Sequence, residues 1–357
     1  MKTIIFLAAV LPIFVTATQA ASDAKAGACK ADGRASYICN VKNVEDLIHI
    51  RDTSWVLAGQ IGTPPTDGGA YFINIKDGSV RKAAPDFSRA RAEIYAACPG
   101  APRAEAFSAH GLGIRYGTAG VHEVFAVSHN ERESIEVFDL DVSKPTPSLT
   151  WKGCVVVPAA MNPNSVAPLP DGGFVATSFG IKTDPATYQK AATGGISGFV
   201  AEWSPARGWS EVPGTQLVAN NGVGVSPDGK KIFITTWGDG KLHVISRGEI
   251  PYSWQSIGLP EVHPDNLRVL DDGKILIAGQ VGSPQEIFTC SQQPVCTVGF
   301  KVVRVDLATA AAETLLDEPS NPVFGGASGA IIVGDEIWVG TFRGNRVARY
   351  KLRGNTR

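Results

Sequence analysis

Five oxygen-bearing side chains, Glu45, Asn164, Asn221, Asp265 and Asn266, recur at matching points of a 357-residue chain. Each stands at the head of a short apolar run: Val44-Glu45-Asp46-Leu47-Ile48, Asn164-Ser165-Val166-Ala167, Asn221-Gly222-Val223-Gly224-Val225 and Asp265-Asn266-Leu267-Arg268-Val269. Two carboxylates and three amide oxygens make an all-oxygen donor set. It suits a hard cation such as Ca2+, which takes roughly 6–8 oxygens at about 2.3–2.6 Å. Softer metals call for more Cys or His. The plain alternative is that Asn and Asp at strand starts cap turns, which is how any one of them alone would be read. Two histidines join the pattern. His110 opens the run His110-Gly111-Leu112-Gly113-Ile114, and His129 follows the next apolar run, 19 residues on. A hairpin of that length returns the second imidazole to the neighbourhood of the first. Imidazole titrates near neutral pH, which suits a base acting on water. The alternative for each is a hydrogen-bonded structural residue. His49, His122, His243 and His263 have no such placement and read as structural, although His263 could touch the rim of the same face.

The elements that must position these groups are strands. From Val44 onward, period-2 alternation and short apolar runs recur between turn signals. The turns include Lys76-Asp77-Gly78, Pro227-Asp228-Gly229-Lys230 and Asp271-Asp272-Gly273-Lys274. Asp and Gly take the special backbone angles of hairpin turns cheaply. The unit repeats as polar start, strand, Asp-Gly turn and second strand. Ala58-Gly59-Gln60-Ile61-Gly62 and Ala278-Gly279-Gln280-Val281-Gly282 match closely, and each lies 13 residues after its acidic residue, Glu45 or Asp265. A sixth copy, around Ala327-Ser328-Gly329, opens with small residues. Unit starts lie 44 to 65 residues apart, a length that suits four-stranded propeller blades. The expectation is an all-β, six-bladed β-propeller. The ends of the second strands would then form a rim of Gln60, His129, Ser178, Trp237, Gln280 and Thr341, with Phe179 beside Ser178. One stretch departs from the β pattern. Residues 183–194, with Asp184-Pro185 at the start and Gly194 at the end, predict a short helix inserted over the active face.

The first 20 residues read as a secretory signal: Lys2, an apolar core from Ile4 to Val15, and Thr18-Gln19-Ala20 as the cleavage site. Residues 21–42 read as an N-terminal arm and 43–357 as the propeller domain. No later stretch is apolar and long enough to span a bilayer. The mature protein is expected to be secreted or periplasmic and to act on a small molecule. A net charge of −1 without a basic run argues against nucleic acid. The six cysteines all follow the signal, and an even count in an exported chain favours disulfides. Local spacing favours Cys29–Cys39 and Cys290–Cys296, leaving Cys98–Cys154 among fifteen possible pairings. The Gly-x-Ser-x-Gly elbow is absent; Gly325-Gly326-Ala327-Ser328-Gly329 has the wrong spacing.

Over most of the mature length the chain resembles the serum paraoxonases, calcium-dependent lactonases and arylesterases within the wider gluconolactonase-type, senescence marker protein-like propellers. The likeness is carried by Val44-Glu45-Asp46-Leu47, Ala109-His110-Gly111-Leu112, Phe125-Ala126-Val127-Ser128-His129-Asn130, Asn164-Ser165-Val166, Asn221 to Gly229, Asp265-Asn266 and Trp338-Val339-Gly340-Thr341. The resemblance implies a catalytic Ca2+ on Glu45, Asn164, Asn221, Asp265 and Asn266. It also implies a dyad in which His110 is the general base and His129 orients it. It implies a second, structural calcium around Asp46, Leu112 and position 165, where this chain has Ser in place of an acidic residue. The family's disulfide between chain ends is missing, so the ring must close otherwise. The rim at Phe179-Gly180 lacks the family's polar pair, so substrate preference should differ. Three functions compete: a hydrolase of lactones or aryl esters, a metal-dependent lyase or isomerase on a small aromatic compound, and a non-catalytic binding propeller. The presence of both His110 and His129 disfavours the last.

Overall fold

The computed structural model describes residues 29–62, 68–248 and 253–352. The proposed signal segment therefore lies outside the described residues. Among the described residues twenty-four strands form six antiparallel four-stranded sheets, the six blades expected from the repeat. The innermost strands are Val44–His49, Leu112–Arg115, Met161–Pro168, Asn220–Val225, His263–Val269 and Ala327–Val333 for blades 1 to 6. The Asp-Gly turns close the hairpins as their chemistry dictates. Gly78, Gly229 and Gly273 take φ of 69°, 71° and 79°, and Asp77, Asp228 and Asp272 each accept the N–H two residues on.

Ring closure is made by backbone pairing. Ala35–Cys39, from the stretch read as an arm, adds antiparallel to Arg346–Lys351 as the outer strand of blade 6. The three expected disulfides are present: Cys29–Cys39 ties down this closing strand, Cys98–Cys154 pins a loop to the outer strand of blade 2, and Cys290–Cys296 closes a short loop. Facing sheets bury large apolar side chains between blades, Phe125, Phe138, Trp151 and Phe174 among them. Fully burying each such side chain is worth about 1.5–3 kcal/mol.

Two elements differ from expectation. The predicted helix is shorter, Thr187–Ala192 (α1), because residues 183–186 form a turn in which Asp184 Oδ1 accepts the Ala186 N–H. A second helix, Pro284–Cys290 (α2), was not read from the sequence. Its signal is nonetheless local. Ser283 and Glu286 form a capping box with Pro284 in the first turn.

Candidate active site

The polar residues do not simply open their strands. In five of the six inner strands they sit where the register shifts: at Val44/Asp46, Pro163/Val166, Asn220/Val223, Pro264/Leu267 and Ala327/Gly329. Such a bulge leaves residues unpaired and re-aims their side chains. Glu45, Asn164, Asn221, Asp265 and Asn266 are the residues released. His110 lies just ahead of the blade 2 strand, held by its N–H to Val127 O at 2.9 Å.

A ring of inter-blade hydrogen bonds fixes these bulges. Ser328 Oγ donates to Glu45 O at 2.7 Å, Thr177 Oγ1 to Asn221 O at 2.5 Å and Thr235 Oγ1 to Asp265 O at 2.6 Å. Gly111 N–H donates to Asn164 O at 3.1 Å. A side chain at Gly111 would put its Cβ 2.5 Å from that same oxygen, so the approach requires glycine. Leu112 N–H to Asp46 Oδ2 at 2.9 Å and Gln280 Nε2 to Ala327 O at 2.7 Å bridge the two remaining gaps. Thr177 and Thr235 were not singled out from the sequence, and Ser328 was read only as part of the small-residue opening of the sixth unit, because each acts on a blade other than its own.

Inside the ring the carboxylates and amides are all buried. Asn266 Nδ2 donates to Glu45 Oε1 at 2.7 Å, and Gln280 Nε2 to Asp265 Oδ2 at 2.7 Å. Glu45 Oε2, Asn164 Oδ1, Asn221 Oδ1 and Asn266 Oδ1 are buried with no hydrogen-bond partner among the described residues. An unmet buried acceptor costs about 1–3 kcal/mol, and a domain's whole net stability is about 5–15 kcal/mol. Four unmet acceptors, all released at the bulges of the inner strands, call for a bound hydrogen-bond donor or cation, and a hard cation fits. Among the described residues no three His, Cys, Asp or Glu side chains form a metal-holding group, so an ion here would rest on amide oxygens as much as on carboxylates. The electrostatics agree. Burial, with the charges of Asp265 and Asp46 adding, drives the Glu45 carboxyl well up. Burial likewise pushes Asp265 up to about 7, with Gln280's hydrogen bond opposing and Asp46 adding. A positive charge between them would reverse that.

The histidines meet as expected. His110 Nδ1 lies 2.8 Å from His129 Nε2, and His110 Nε2 lies 3.6 Å from Glu45 Oε1. Burial, then the neighbouring His129 and Arg343, hold His110 well below its ordinary range. The other histidines are structural: His49 meets Thr53 O, His122 accepts from the Gly117 N–H, and His243 contacts Thr236 and Ser256. His263 stacks on Trp237 with centroids 4.4 Å apart.

At the expected second cation site the protein meets its own carboxylate. Asp46 Oδ1 accepts the Leu47 N–H at 2.9 Å and pairs with Arg268 Nη2 at 2.5 Å, while Oδ2 takes the Leu112 N–H. Leu112 thus meets Asp46 as a donor, and Ser165 N–H is bonded to Thr177 Oγ1. Both Asp46 oxygens are thus met within the protein, which leaves Asp46 little to offer the second ion expected from Asp46, Leu112 and Ser165. The rim differs too. Gln60, Trp237, Gln280 and Thr341 are at most 3% exposed and serve as supports. Trp237 Nε1 donates to Gln280 Oε1 at 2.8 Å, and Thr341 Oγ1 holds the carbonyls of Gly325 and Gly326. Phe179 alone of the five stays half-exposed. It belongs to an aromatic wall in which Tyr188 of α1 meets Phe288 of α2 and both Phe179 and Phe288 meet Trp237.

No protein-family model matches the chain, and no curated protein does. Solved structures do. A gluconolactonase from Xanthomonas campestris aligns with a TM-score of 0.53 at 13% identity, over 90% of this chain and 91% of that one. A protein provisionally described as a gluconolactonase gives 0.52 at 15%, over 91% and 94%. A luciferin-regenerating enzyme gives 0.51 at 12%, over 88% and 92%. These likenesses establish a fold shared with gluconolactonase-like six-bladed propellers.

Proposed function

We propose that this chain is an exported, calcium-dependent hydrolase of lactones or aryl esters. The observation that carries the reading is a set of four unmet buried oxygens at the bulges of the inner strands, one of them on Glu45, beside an imidazole whose Nε2 lies 3.6 Å from Glu45. Two of the similar propellers bear the gluconolactonase description, which supports lactone chemistry. The half-exposed aromatic wall of Phe179, Tyr188 and Phe288 suits an apolar or aromatic substituent. Three disulfides support an oxidising, secreted or periplasmic setting, and among the described residues no helix is long and apolar enough to cross a membrane.

Ca2+ held by Glu45, Asn164, Asn221, Asp265 and Asn266 would polarise the ester carbonyl and offset the charge of the oxyanion. The chain's own residues do the rest. The bulge ring fixes the donors so that little reorganisation accompanies reaction. The His110 imidazole, kept neutral by burial, takes the proton of the attacking water at Nε2. His129 holds His110 at Nδ1 and so aims Nε2 at the centre of the ring.

The test is a screen of phenyl acetate and γ- and δ-lactones with and without chelator, on the wild type and His110→Gln. Expected are chelator-sensitive turnover and a loss of about 10²–10⁴-fold in kcat for His110→Gln, the usual worth of a general base, with calcium affinity retained. Wild-type turnover in His110→Gln, or no hydrolysis of any substrate by the calcium-loaded protein, would defeat the reading.

A further inference from the structure

We infer that Glu133 is a positioning residue that sets the tautomer of both histidines; the inference rests on reading His110 as the base. His129 and Glu133 face each other across the hairpin loop between Val121–Ser128 and Ser134–Asp141. His129 Nδ1 lies 2.5 Å from Glu133 Oε2, and Lys182 Nζ donates to the other oxygen, Oε1, at 2.8 Å. A carboxylate so held can only accept. His129 therefore carries its proton on Nδ1, and in its neutral form Nε2 is an acceptor. The single proton in the 2.8 Å contact between the rings then belongs to His110 Nδ1. That leaves the lone pair of His110 Nε2 bare on the side facing Glu45. One carboxylate outside the ring of donors thus decides which nitrogen is the base.

It also gives the charge a place to go. As the water oxygen bonds to the carbonyl carbon, its O–H bond breaks and the proton moves to His110 Nε2. The Nδ1 proton of His110 then passes to His129 Nε2, and the resulting imidazolium lies against Glu133 rather than beside the donor ring. When the ester C–O bond breaks, the alkoxide takes the proton back from His110 Nε2 as the relay reverses. This is the division of labour by which a buried carboxylate orients a catalytic histidine in other hydrolases.

Lys182 makes the inference sharply testable. In Glu133→Gln the ammonium keeps the amide oxygen, which turns the NH2 toward His129 Nδ1. Both rings must then flip tautomer, and His110 Nε2 acquires the proton it needs to lack. The full-length, calcium-loaded protein should lose about 10²–10⁴-fold in kcat, the scale of a wrong tautomer in such a relay, with KM within about twofold and calcium affinity unchanged. Adding Lys182→Met frees the amide to turn its oxygen to His129 and should recover at least about tenfold. Glu133→Asp should keep most of the turnover. Wild-type kcat in Glu133→Gln, or no recovery in the double variant, would overturn the inference. His110→Gln measured alongside separates the two failures. If it is inactive while Glu133→Gln is active, only the role of Glu133 falls. If it is fully active, the base reading falls and this inference with it.

Discussion

Glu45 and Asp46 are adjacent, both acidic and both 1% exposed, yet they end in opposite circumstances. Glu45 sits in the bulge of its strand and keeps one oxygen without a partner. Asp46 pairs with Gly59 in the ladder, and its two oxygens take two backbone N–H groups and the Arg268 guanidinium. Burial and charge do not distinguish the two residues. What distinguishes them is whether the protein itself meets the oxygens. Where it does, an acid is a structural fixture; where it does not, the acid awaits something else.

The largest effect should come from breaking the Glu45 side. Exhaustive chelation is expected to abolish turnover and lower the Tm, since an ion that binds only the folded state at 100 times its Kd adds about 2.7 kcal/mol. Asn221→Ala and Asp265→Ala should behave alike. Full activity and unchanged melting after chelation, with metal analysis confirming removal, would erase the contrast.

Breaking the Asp46 side should cost stability and leave the chemistry intact. Arg268→Met strands a buried carboxylate, a change worth about 3–5 kcal/mol, readable by urea denaturation. A cost under about 1 kcal/mol would mean that Arg268 is not the counter-charge. The same contrast predicts one bound Ca2+ per chain by metal analysis, and two would restore the second site.

A smaller effect sharpens the comparison through pH. Asp265's folded pKa of about 7 stands above the unfolded value of about 3.9. Its contribution to the stability of the metal-free protein is therefore fully present below about 4 and lost as pH rises through about 7. The chelated protein should lose Tm between about pH 4 and 7, and added calcium should remove that loss. Identical slopes with and without the ion would show that these carboxylates are not its ligands.

Much of this was legible in the chain because the repeat places like residues at like positions. Six polar or small starts gave six blades, and the meeting of the two histidines followed from their shared face. The local features that sequence reading missed were the bulges, which release these residues from the ladder within their strands, and α2, whose capping box at Ser283 and Glu286 stands in plain view. Other features had no local signal. Arg268 reaches Asp46 from blade 5, and Thr177 and Thr235 each serve the next blade's carbonyl. Glu133 lies four residues from His129, but only the fold of the loop turns them together.

The closing of blade 6 by Ala35–Cys39 has a temporal consequence. Ser36 and Arg349 are hydrogen-bonded across 313 residues of chain. At about 5–20 residues per second, synthesis separates the two by roughly 15–60 s. Throughout that interval the first strand has no partner. Such long-range pairing is the kind that makes folding slow. A cation that binds Glu45 together with Asp265 and Asn266 would act as a latch, holding the first-made blade to one made 221 residues later.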